Sequence, residues 1–112
     1  MVTFDQFREM ALALPQAHEQ PTWEQLTLRV GKKIFAMGSP ESGRVCVKAT
    51  KEEQAELLAA APEVYSFAPY VGRHGWVLVA LAEVGPEELG ELLTEAWRSV
   101  APRRLHPQVD GE

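Results

Sequence analysis

Cations are the residues in this sequence best placed to do chemistry. Between positions 26 and 48 the chain carries Arg29, Lys32, Lys33, Arg44 and Lys48 against Glu41 alone, a local excess of +4 in a molecule of formal net charge −5. Cations at spacing two on a strand project from one side of it, and each one that neutralises a phosphate releases counterions. Such a face suits an anionic partner. It equally suits a sheet that only meets water, where charge blunts unwanted edge pairing. Arg73 and His74 form a second basic pair. The Trp76 indole that follows offers either stacking to a planar ligand beside a cation or an anchor in the core.

Other chemistries have less to stand on. His18, His74 and His106 are far apart and Cys46 is the one cysteine, so no zinc-type Cys/His spacing exists. His18-Glu19 lacks the second histidine of a His-Glu-x-x-His helix. Cys46 could act as a nucleophile only with a base in reach and an acidified thiol, and between Val45 and Val47 it reads as an inert strand residue. There is no Gly-x-Ser-x-Gly and no Gly-rich phosphate loop, and the glutamate pairs sit in helix first turns. The expectation is a non-enzyme with no metal and no cofactor.

The elements that must position these side chains are legible from spacing. Thr3 to Leu14 opens with a Thr3/Gln6 capping box, repeats Phe4, Phe7, Ala11 and Leu14 at helical intervals, and stops at Pro15. Residues 16–25 hold neither period and contain Pro21, so they read as a loop anchored by Trp23. Strands follow at Leu26–Val30, Lys33–Met37 and Arg44–Ala49, turned by Gly31-Lys32 and by Gly38 to Gly43. On the third, Val45, Val47 and Ala49 take one face and Arg44, Cys46 and Lys48 the other. A Thr50/Glu53 capping box starts a second helix that runs to Pro62. Glu63–Tyr70 and Gly75–Leu81 read as two more strands around a tight reversal at Val71-Gly72-Arg73-His74. Trp76 to Leu81 is apolar on both faces, which marks an interior strand. Pro86 opens a last helix with Leu89, Leu92, Leu93, Ala96, Trp97 and Val100 on one stripe, stopped by Pro102.

The predicted fold is α+β and two-layered, in the order α-β(3)-α-β(2)-α, with the helices on one face of a five-stranded antiparallel sheet. At 112 residues, 46% hydrophobic and 24% charged, the chain suits a single core. The predicted domain spans residues 1–104, and 105–112 form a flexible C-terminal tail. Carboxylates concentrate in the helices, so the expected arrangement is an acidic helical layer behind a basic open sheet face. A lone cysteine agrees with a reducing cytosol. The opening residues show no leader pattern, and the longest nearly uncharged stretch, Val64 to Gly72, contains Pro69 and is too short for a bilayer. The expectation is a cytoplasmic protein with no membrane association.

Leu14-Pro15, Val30-Gly31-Lys32-Lys33-Ile34-Phe35-Ala36, Val47-Lys48 and Gly72-Arg73-His74-Gly75-Trp76-Val77, in this order of elements, resemble the MmcQ/YjbR family over nearly the whole chain. The resemblance implies a CyaY-like two-layer fold related to bacterial secretion chaperones, two hairpins forming a double wing, and a DNA-binding role. Carried over by position, the wing residues are Lys32, Lys33, Arg44 and Lys48 on the first hairpin and Arg73 and His74 on the second. The chain departs from the family pattern at Ala96-Trp97, where the family often has Ser-Tyr. With Arg29 added from the strand pattern, these seven residues are the expected nucleic-acid-binding set. A pI near 5.2 makes any DNA binding weak and salt-sensitive. The alternative expectation is a protein-interaction or chaperone-like adaptor that dimerises through its open sheet face.

Overall fold

The computed structural model describes residues 1–22 and 24–110. Trp23, the expected loop anchor, lies outside the described residues, as do Gly111 and Glu112 of the expected tail. Among the described residues the chain runs α1 (Phe4–Leu12), β1 (Ala17–Pro21), β2 (Leu26–Val30), β3 (Lys33–Gly38), β4 (Arg44–Val47), α2 (Lys51–Ala60), β5 (Tyr65–Phe67), β6 (Val77–Ala80), α3 (Pro86–Val100) and α4 (His106–Asp110). Short 3-10 turns occupy Val71–His74 and Arg103–Leu105. All pairings are antiparallel and build one sheet in the order β1-β2-β3-β4-β6-β5. The fold is α+β as expected, with six strands in place of five.

The additional strand is β1, in the stretch expected to be a loop. It lies at the sheet edge, where only Ala17 and Glu19 are partly covered, so its sequence shows no apolar alternation. Pro21 closes it, which an edge position tolerates. Two things hold it: the ladder to β2 and the Arg8 guanidinium of α1, whose Nε donates to Glu19 Oε2 at 3.1 Å. The expected last two strands are also shorter than their apolar runs, because the backbone leaves the ladder after Phe67 and rejoins it at Val77. β6 is interior, between β4 and β5, as its apolar faces predict.

Leu28, Phe35, Val45, Val47, Val77 and Val79 point from the sheet into a core completed by Phe7 and Ala11 of α1 and by Leu89, Leu93 and Trp97 of α3. Full burial of each large aliphatic or aromatic side chain stabilises by about 1.5–3 kcal/mol. Trp97 is fully buried and donates its indole N–H to the Pro15 carbonyl at 2.9 Å, closing a span of 82 residues. Its ring also lies 5.5 Å from that of His106. The core continues past residue 104, where the flexible tail was expected to begin. Pro102 ends α3, and the following 3-10 turn drops Leu105 back onto the core at 2% exposure. Among the described residues no helix is long and apolar enough to cross a membrane.

Tyr65 is buried where β5 meets α3 and donates its hydroxyl to Glu88. Burial, then the carboxylate, pushes its phenol well above the ordinary value. The native state therefore keeps a proton that the unfolded chain releases near pH ~10, so this residue's share of stability is full below that pH and falls as pH rises beyond it. Urea unfolding followed from about pH 8.5 to 11 should show an alkaline loss of stability that is smaller in Tyr65→Phe. Identical pH profiles for the two proteins would exclude this contribution.

Candidate functional site

Strand register defines two ends of the sheet. Ala36, Val47, Val77 and Phe67 pair across one transverse row, and Gly38, Val45, Val79 and Tyr65 across another. Past the first row lie the β2–β3 turn with Lys32 and Lys33, the exit of β4 at Lys48, the start of α2 at Lys51, and the 3-10 turn bearing Arg73 and His74. Past the second lie Glu24, Glu41, Glu63 and Glu83, with Glu87 and Glu88 opening α3. α1 and α3 both run toward the cationic end, since Val2 donates to the Leu81 carbonyl at 2.8 Å and Trp97 reaches Pro15. Arg98 and Arg103 consequently share a cleft with Thr50, the N-cap of α2.

The charges of the strand connections are thus sorted by end of the fold, whereas the sequence predicts sorting by layer; Glu52 and Glu53 of α2 and Glu95 of α3 stand among the cations. Of the seven expected residues, Lys32, Lys33, Lys48, Arg73 and His74 come to one end. Lys48 turns toward the helices, where it lines a groove with Glu53, Glu88, Glu91 and Glu95. Arg29 sits on the open sheet face and donates to the Thr27 hydroxyl at 3.0 Å. Arg44 stands at the acidic end, opposite Ala80 of β6. Lys51 and Arg103 join the cationic end without having been expected there, because element direction and not local spacing decides which end a residue reaches. The ion pairs among the described residues are Arg8–Glu19 and Arg98–Glu95. Two carboxylates lie in the first turn of α2: Glu52 is exposed, and Glu53 is engaged in its capping box and accepts from the Thr50 N–H at 3.1 Å.

One buried side chain fixes this end. Gln54 of α2 donates from Nε2 to the carbonyls of Gly72 and Trp76, both at 2.7 Å. Gly75 then passes against the 49–51 backbone at φ +102°, where an added Cβ would stand 2.6 Å from the Ala49 carbonyl oxygen. The β5–β6 connection is therefore clamped to the N-terminus of α2. Trp76 is buried by that clamp at 8% exposure, which removes its indole as a stacking surface.

The most exposed aromatic ring at this connection is Tyr70, at 93% exposure, ahead of Phe67 at 56%. Its backbone has φ 63° and ψ −55°, and Val71 N–H donates to the Pro69 carbonyl at 2.6 Å. That is a γ-turn of the rarer positive-φ kind, strained for any side chain. Tyr70 stands at the rim of a trough of about 610 Å³ on the open sheet face, a size ordinary for small-molecule sites. Met37, Cys46 and Leu78 are in register across β3, β4 and β6 and make its floor. Glu24, Gln25, Ser39, Ser42 and Arg44 make its polar far rim. Burial pushes the Cys46 thiol up, the direction that makes it less nucleophilic. No set of three or more His, Cys, Asp or Glu side chains that could hold a metal ion occurs among the described residues.

A family model described as YjbR matches residues 12–99. The chain belongs to the YjbR family. An uncharacterized protein of Mycobacterium bovis and one of Mycobacterium tuberculosis H37Rv are each 31% identical to it over 123 residues, spanning 94% of this chain and 93% of theirs. The crystal structure of Deinococcus radiodurans protein DR2400, a DUF419 domain, is similar at TM-score 0.82 and 25% identity, over 98% of this chain and 89% of that one. In this YjbR chain the residues that carried the resemblance are largely occupied in packing. Pro15 accepts from Trp97, and Gly72 and Trp76 accept from Gln54.

Two substitutions test the clamp and the strained turn. Gln54→Leu leaves two carbonyls without a donor and should cost about 2–4 kcal/mol of unfolding free energy. Tyr70→Gly should raise stability by about 1 kcal/mol, since glycine adopts this φ without strain while losing more chain entropy on folding. Urea midpoints measure both. A stabilising Gln54→Leu or a destabilising Tyr70→Gly would contradict the respective account.

Proposed function

We propose that this YjbR protein is a non-enzymatic binding protein that takes DNA, or nucleic acid more broadly, against the cationic end of its sheet. The observation that carries the reading is the register that gathers Lys32, Lys33, Lys48, Lys51, Arg73 and His74 at one end while Glu24, Glu41, Glu63 and Glu83 leave by the other. The β2–β3 turn and the β5–β6 connection flank β4 there, and their nearer strands, β3 and β6, stand roughly 10 Å apart, two strand spacings. The N-terminus of α2 adds the positive end of its dipole between them.

Phosphate contacts reveal themselves through salt. In an anisotropy titration of a labelled single strand of about 20 nucleotides, log affinity should fall linearly with log salt, and Lys33→Ala or Arg73→Ala should each reduce the slope by about 0.7. Arg44→Ala, at the acidic end, should leave the slope unchanged. A slope indifferent to the first two substitutions, or altered by the third alone, would overturn this placement.

A further inference from the structure

We infer that the open-face trough is a subsite for one unpaired nucleobase stacked on Tyr70, so that the nucleic acid held at the cationic end is single-stranded. The inference rests on the proposed nucleic-acid reading and names its ligand class. Tyr70 lies three residues before Arg73, which puts an exposed ring at the edge of the cationic end and over the mouth of the trough. A strand whose phosphates meet Arg73 and the β2–β3 turn therefore passes its bases across the open sheet face.

The trough is built for a flat heterocycle. Met37, Cys46 and Leu78 form a level strip across three adjacent strands, roughly 10 Å from end to end. Two of the three present sulfur, which contacts aromatic rings favourably. Leu78 and Cys46 are only partly buried, so the strip is open to a ligand. Base edges need donors and acceptors. The Arg44 guanidinium, which makes no ion pair among the described residues, supplies donors at the far rim. Gln25 donates to Met37 Sδ at 3.5 Å, which leaves its amide oxygen to accept. The strained turn displays the Tyr70 ring to solvent, where it is free to stack. A duplex keeps its bases stacked and cannot use this site, whereas stacking of an unpaired base on an aromatic ring is indifferent to sequence.

Three labelled ligands of equal length separate the terms: a thymidine strand, a strand of the same phosphates with abasic sugars, and the thymidine–adenosine duplex. The thymidine strand should bind about tenfold more tightly than the abasic one. Tyr70→Ala should erase that difference while leaving the abasic affinity and the salt slope as they were, and Tyr70→Trp should preserve it. As an independent reading, the thymidine strand and not the abasic one should slow alkylation of Cys46 by iodoacetamide. Equal affinity for thymidine and abasic strands, with a normal salt slope and unprotected Cys46, overturns the base subsite and leaves the cationic end standing. Failure of all three ligands to bind at low salt removes the nucleic-acid reading and the subsite together. A dimer in sedimentation velocity whose Cys46 is protected without any oligonucleotide would assign the trough to a second copy of the chain, and overturns the subsite as well.

Discussion

The carboxamide of Gln54 holds together what the sequence keeps apart. Its amino group satisfies two carbonyls on a connection that has left the sheet after Phe67 and not yet rejoined it at Val77. Such a segment has no ladder of its own, and its buried carbonyls would each cost about 1–3 kcal/mol if left without a donor. With the connection fixed, Arg73 and His74 stand beside the start of α2, and the chain before them is led out over the open face. The exposed ring of Tyr70 and the placement of the second cationic segment are consequences of the same pair of hydrogen bonds. A clamp in which one buried donor group serves two acceptors leaves little slack, because moving either carbonyl unpairs the other.

Its geometric counterpart is the close passage of Gly75 against residues 49–51. A left-handed backbone and a 2.6 Å approach to the Ala49 carbonyl leave room only for a residue without a side chain. Gly75, Trp76 and Gly72 thus belong to one packing arrangement, which accounts for the part of the family likeness that these three residues carry. Trp97 plays the matching part on the other side of the molecule. Its indole carries a single donor, and that donor finds Pro15. Fold identity and binding function therefore reside in different side chains of the same segments.

Much of the architecture was legible because it rests on local rules. Both capping boxes form as their sequences state, Thr3 with Gln6 and Thr50 with Glu53, and Gly31 turns the chain at φ +62° where β2 meets β3. β1 was not legible, since an edge strand pairs on one side only and His18, Gln20 and Pro21 can remain polar or exposed. The site was half legible. Spacing two tells which face of a strand a residue takes, but not which end of the sheet its neighbours bring it to. That depends on strand order and helix direction, which are long-range. Lys51 and Arg103 were passed over for this reason, and Arg44 was grouped with cations that lie at the other end. Tyr70 gave no signal either, because a γ-turn of this kind has no sequence signature beyond the adjacent Pro69.

Sorting charge by end also answers the objection from overall acidity. A net charge of −5 would repel a polyanion if it were spread evenly. Here the carboxylates of the β1–β2, β3–β4 and β6–α3 connections are separated from Lys32 and Lys33 by the length of β3, roughly 17–20 Å for six residues, whereas Lys48 shares a groove with Glu53, Glu88, Glu91 and Glu95. The Debye length at physiological ionic strength is about 8 Å, so the carboxylates of the connections contribute little to the potential at Lys32 and Lys33. What they do is orient the molecule: a polyanion approaching from the acidic end meets repulsion, and one approaching from the other meets attraction. The local excess of charge and the direction of approach, rather than the pI, then govern encounter. On the proposed reading, an acidic protein built this way binds a polyanion weakly and in one preferred orientation, with Tyr70 at the rim of the trough beside it.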